Sequence, residues 1–106
     1  MSEKMIVREA LRRKEVFNKI NYWLNIARET VKRLDSEGLG VYLFGSVAGG
    51  KYNLSSDIDL LVVTDLKPEV VIAELWKKGV KEPFEIHVID RNGLHSYKSR
   101  SKLVSI

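Results

Sequence analysis

The chain has no cysteine, so no disulfide can staple it, and its 106 residues must be held together by burial and hydrogen bonding. That absence suits a reducing compartment, and a cytoplasmic location is the expectation. Long hydrophobic runs are also missing. The apolar stretches 60–63 and 70–73 are four residues each, against roughly 20 for a bilayer span, and the first residues are charged rather than signal-like. No membrane role is therefore expected. There are only two prolines, Pro68 and Pro83, and each reads as punctuation at the start of an element. Neither an internal repeat nor a low-complexity segment is present. With 44% hydrophobic and 30% charged residues, the chain reads as one ordered domain, 1–106, long enough to hide roughly two thirds of its unfolded surface.

A charge excess is absent from residues 1–90, where 14 basic and 14 acidic side chains cancel. The whole +4 comes from Arg91, Lys98, Arg100 and Lys102. Residues 91–106 thus form a basic tail, suited to a polyphosphate, a nucleic acid or an acidic protein surface, and direct nucleic-acid binding is left open.

From residue 8 to 34 the apolar positions Leu11, Val16, Phe17, Ile20, Leu24, Ala27, Val31 and Leu34 recur three and four apart, with no Gly or Pro. The spacing predicts one long amphipathic helix, with Trp23 read first as a core residue and second as part of a partner-binding face. Residues 41–44 predict a short buried strand closed by Gly45. A second strand begins at Asp57 and runs into four apolar residues, as a strand covered on both faces does. Residues 68–78 predict a helix with Pro68 at its first position and Gly79 beyond its end, burying Val71, Ile72, Leu75 and Trp76. Residues 84–89 alternate strictly, with Phe84, Ile86 and Val88 on one face and Glu85, His87 and Ile89 on the other. After Asn92-Gly93, a turn signal, only a weak helical or irregular pattern remains. The fold class is α/β (α+β), a mixed sheet of about three strands flanked by helices.

Chemistry concentrates in two places. Asp57 and Asp59 are two apart, so on a strand they share a face with α-carbons roughly 6.5–7 Å apart. Gly45-Ser46 places small residues where backbone N–H groups can approach an anion. The strand-helix-strand unit implies parallel pairing, which brings Glu85 to the rim of the two aspartates, and an antiparallel first strand brings Gly45-Ser46 there too. Three carboxylates so close repel one another, and Mg²⁺ with a substrate's phosphate oxygens relieves that repulsion. Two such ions about 3.5–4 Å apart suit in-line displacement at phosphorus. Two readings stand for His87, a structural histidine first and a contact with the site second.

The string Gly45-Ser46, a spacer, then Ser56-Asp57-Ile58-Asp59-Leu60, with Glu85 in the next strand, resembles the DNA polymerase beta-like nucleotidyltransferase superfamily. More narrowly, it is similar to the minimal nucleotidyltransferases of bacteria and archaea, over a motif core of residues 41–90. The resemblance implies that Gly45 and Ser46 bind the triphosphate, that Asp57 and Asp59 hold the metals, and that Glu85 is a third carboxylate that binds metal and orients or deprotonates the acceptor. It implies an Mg²⁺-dependent transfer of a nucleoside monophosphate, AMP from ATP foremost, to an acceptor hydroxyl. Where many relatives have an arginine, this chain has Gly49, followed by Gly50 and Lys51. Lys51 is then the candidate phosphate contact, acting as a point charge. The same resemblance implies a helical HEPN-family partner and, as the alternative function, a toxin–antitoxin module that neutralises that partner by binding.

Overall fold

The computed structural model describes residues 3–38, 40–45, 57–100 and 103–106. Two helices open it, α1 (Glu3–Asn18) and α2 (Ile20–Leu34), where the apolar period predicts one. The break is at Lys19, with φ −114° and ψ 31°, although its N–H still donates to the carbonyls of Glu15 and Val16 at 3.0 and 3.1 Å. Neither Gly nor Pro stands at the break. Arg12 donates from Nε and Nη2 to the Glu82 carbonyl at 3.1 and 2.6 Å, and Arg13 Nη2 lies 3.2 Å from Glu82 Oε1. These bonds tie α1 to the residues just before β3. Leu11, part of the same apolar period, is exposed, so the stripe reaches the core only from Val16 onward.

The sheet has four strands: β1 (Gly40–Phe44), β2 (Ile58–Val63), β3 (Phe84–Ile89) and β4 (Val104–Ser105), in the order β3-β2-β1-β4. β2 pairs parallel with β3 and antiparallel with β1, and β1 pairs antiparallel with β4. Leu60, Leu61, Val62 and Val63 have no exposed surface at all. At about 1.5–3 kcal/mol for each large apolar side chain buried, this run is a major contributor to stability. Both faces are covered, as its unbroken apolar sequence requires.

On one face Leu60, Val62, Ile86 and Val88 pack against Leu24, Ala27 and Val31 of α2 and against Val71 and Leu75 of α3 (Pro68–Lys77). Trp23 joins this core from its edge, and its ring lies so close to Gly79 that a Cβ there would stand 3.0 Å away. Gly79, with φ +89°, also ends α3. Trp76, expected on the buried face of that helix, is 57% exposed. The buried positions of this helix are Val71 and Leu75, one turn apart, and Trp76 stands about 100° round from Leu75, on the solvent side.

The opposite face carries Leu61, Val63 and Ile89 under Leu94 and Tyr97 of α4 (Arg91–Arg100). The tail, expected to be weakly helical or irregular, is thus a helix followed by an edge strand. Asp90 Oδ1 accepts from the Gly93 N–H at 2.9 Å, which caps α4, and Gly93 lets the helix lie close on Ile89. The Asn92-Gly93 pair that reads as a turn is the first turn of this helix. Among the described residues no helix is long and apolar enough to cross a membrane.

Candidate functional site

The α4 face of the sheet is apolar at one end and acidic at the other, because β2 and β3 alternate in step. Register places Phe44, Asp59 and Glu85 side by side on three adjacent strands, and Tyr42, Leu61 and His87 one step along. The parallel pairing inferred from sequence is what brings Asp59 and Glu85 together. Each is the second residue of its strand, so equal spacing from the strand starts becomes adjacency across the ladder.

Asp59 is 23% exposed and Glu85 56%. Burial pushes the Asp59 carboxyl above its ordinary range, the Glu85 charge pushes it further, His87 opposes the shift, and Asp57 adds a smaller upward push. His87 Nε2 stands 3.6 Å from Asp59 Oδ1 and 3.5 Å from Glu85 Oε1. Both are ion-pair separations rather than well-formed hydrogen bonds.

Gly45 closes the site from the β1 side. Its φ is +76°, and a Cβ at that position would collide with Asp59 Oδ2. Glycine is therefore required here both by the backbone and by the carboxylate lying against it. That is a structural reason for the motif glycine independent of any bound anion.

Asp57 lies just before β2, outside the group of close donors. It is 53% exposed, with Arg13 Nη2 of α1 at 3.6 Å from its Oδ1. The donor atoms that gather within 4.8 Å of one another belong to Asp59, Glu85 and His87. Of the three carboxylates read from sequence, the structure groups two and leaves Asp57 at the margin. Ser46, Gly49 and Lys51 lie outside the described residues.

The family model for the nucleotidyltransferase domain matches residues 24–105. The chain belongs to the nucleotidyltransferase domain family. One solved structure, described as a candidate nucleotidyltransferase, is 28% identical and superposes with a TM-score of 0.53, covering 74% of this chain and 90% of the other. A second, a candidate nucleotidyltransferase from Sulfolobus solfataricus, is 22% identical with a TM-score of 0.48, covering 92% of this chain and 83% of its own. No curated protein matches the sequence.

Domains of this family use a nucleoside triphosphate and a divalent metal. In this nucleotidyltransferase domain the donors at Asp59, Glu85 and His87 are two carboxylates and an imidazole, a set that fits a divalent cation. Of two further residues at the site, sequence placed only His87, as the second of its two readings. His87 carried a signal, its position two beyond Glu85 on one face of a strand. Arg13 carried none, because its approach to Asp57 depends on how α1 is laid across the sheet.

Proposed function

We propose that this chain transfers a nucleoside monophosphate, AMP from ATP foremost, to an acceptor hydroxyl. A bond forms from the acceptor oxygen to the α-phosphorus, the bond from the α-phosphorus to the bridging oxygen breaks, and pyrophosphate leaves. The observation that carries the reading is the Asp59–Glu85 pair, two like charges on facing register positions whose repulsion and burial raise the Asp59 pKa. A fold that sustains such a pair has use for a cation there.

Asp59 and Glu85 would hold the metal, with Asp57 joining from the strand start once it leaves Arg13. When bound, divalent cations neutralise the phosphate oxygens and draw charge from the phosphorus. Glu85, the more exposed of the pair, is placed to accept the acceptor's proton. Gly45 leaves room for the Asp59 carboxylate to lie against the backbone, and Ser46 and Lys51 would contact the triphosphate oxygens. Positioning and charge, rather than a covalent intermediate, supply the rate.

The test is incubation with a divalent cation, candidate acceptors and ATP labelled on the α-phosphate. Transfer of label that disappears in the double variant Asp57→Asn, Asp59→Asn supports the assignment. Transfer that persists unchanged overturns it.

A second reading, a module that holds a helical HEPN-family partner, is supported by one observation: Trp76 is exposed on α3 where a core residue is expected. A partner held there would be lost on Trp76→Ala while label transfer continued.

A further inference from the structure

We propose that His87 is a metal ligand, and that with Asp59 and Glu85 it forms a mixed nitrogen–oxygen site that takes a first-row transition-metal dication, Mn²⁺, Co²⁺ or Zn²⁺, in preference to Mg²⁺. The inference deepens the nucleotidyl-transfer reading and rests on it for the site's purpose, though not for its geometry.

Three observations carry it. First, His87 Nε2 is itself buried and has no hydrogen-bond partner among the described residues, although the rest of the ring is partly exposed. A buried polar nitrogen left unpaired is costly, and here it faces two carboxylates rather than apolar side chains. Second, the separations suit a shared ion. At 3.6 and 3.5 Å the carboxylate oxygens are too distant for good hydrogen bonds to Nε2. With metal–ligand bonds of about 2.0–2.2 Å, such separations subtend roughly 105–130° at a common ion, a range that includes the tetrahedral value. Asp59 Oδ1 and Glu85 Oε1 are thus nearly equidistant from the nitrogen.

Third, the imidazole is held in place before any ligand arrives. His87 lies on β3 opposite Leu61, one register step from the Asp59–Glu85 pair. Phe44 packs against it edge-on with ring centroids 4.9 Å apart, and Phe44 is in turn braced by Tyr97 of α4 at 5.6 Å. All three donors therefore project from paired strands, with the ring of the third clamped by aromatic neighbours, which is how a rigid metal site is built. Oxygen donors alone favour Mg²⁺, whereas an imidazole favours softer dications of the first transition row. Asp57, held by Arg13, contributes nothing to this trio and remains available for a second, all-oxygen position.

The experiment uses the chain alone, with Mn²⁺ as the probe. Pulsed electron paramagnetic resonance on the bound ion should show nitrogen hyperfine coupling of a directly ligated imidazole, and the coupling should vanish in His87→Leu. Competition with Mg²⁺ should show that the same substitution lowers the preference for Mn²⁺ by about tenfold or more. Bound Mn²⁺ without nitrogen coupling in the unaltered protein overturns the proposal whether or not the variant folds, and so does an unchanged preference in a folded variant. The outcome is separable from that of the function: nitrogen-coupled Mn²⁺ without label transfer leaves the site standing and removes the reaction, while label transfer without nitrogen coupling does the reverse.

Discussion

β2 and β3 end in two polar regions that differ in how their side chains are satisfied. At the C-terminal end Thr64 is buried, yet its hydroxyl donates to Asp35 Oδ2 at 2.5 Å and accepts from the Leu66 N–H at 3.2 Å. Asp35 Oδ1 accepts from the Glu37 N–H, Arg91 donates to the Glu37 carbonyl, and Asp90 caps α4. These polar groups complete one another and tie the loops to the sheet. At the N-terminal end Asp59 and Glu85 repel, and His87 Nε2 faces both without a hydrogen bond. The polar groups of one end satisfy one another, whereas those of the other end are left in mutual repulsion or without a hydrogen bond.

The largest effect should come from Gly45→Ala, which breaks the contrast at its acidic end. The positive φ alone costs about 1–2 kcal/mol, and the methyl group must displace the Asp59 carboxylate. Chemical denaturation should show a loss at least that large, accompanied by loss of cation binding. Next is Thr64→Val at the C-terminal end, which leaves Asp35 Oδ2 without its donor. Its expected cost is about 1–3 kcal/mol, with cation affinity unchanged by titration. A loss of cation binding in Thr64→Val would show that the two ends are not independent.

Asp59→Asn sharpens the comparison from the other side, since removing a charge from the acidic end should stabilise the metal-free protein. The folded state binds the Asp59 proton more tightly than the unfolded state does. Stability therefore falls as pH rises from the unfolded carboxylate value of about 3.9 through the raised folded value, and the penalty is complete above the latter. Thermal melts in chelator should show Asp59→Asn above the unaltered protein at pH 7, with the gap closing as pH falls below about 4. With saturating dication the order should reverse, because only the unaltered site gains binding energy. The smallest effect is expected from Arg13→Ala, which removes a partly exposed contact to Asp57 and Glu82 and should change stability by under about 1 kcal/mol.

The acidic end was legible in the sequence because two strands with regular alternation, joined by one helix, leave little freedom in how Asp59 and Glu85 meet. Gly45 was legible as a turn but not as the wall behind Asp59, since that depends on the antiparallel partner's register. The break at Lys19 left no mark because the apolar period runs through it, and the contacts of α1 with Glu82 join segments about seventy residues apart. α4 was hidden for a different reason. Asn92-Gly93 has the local preference of a turn, and only the Asp90 cap and the close packing of Gly93 on Ile89 make it helical. Local signals succeeded where strands dictate the geometry and failed where contacts between distant segments decide.

The pairing of β2 with β3 also couples assembly to activity. A slip of one residue would put Phe84 or Ile86 beside Asp59, turn Glu85 and His87 away from it, and move the apolar residues of β3 off the core. The register that hides Ile86 and Val88 is the same one that gathers the three donors, so a mispaired chain forfeits its ligand set along with its interior. Cation retention by freshly made protein would then serve as a proofreading mark, present only on molecules whose strands have found their correct neighbours.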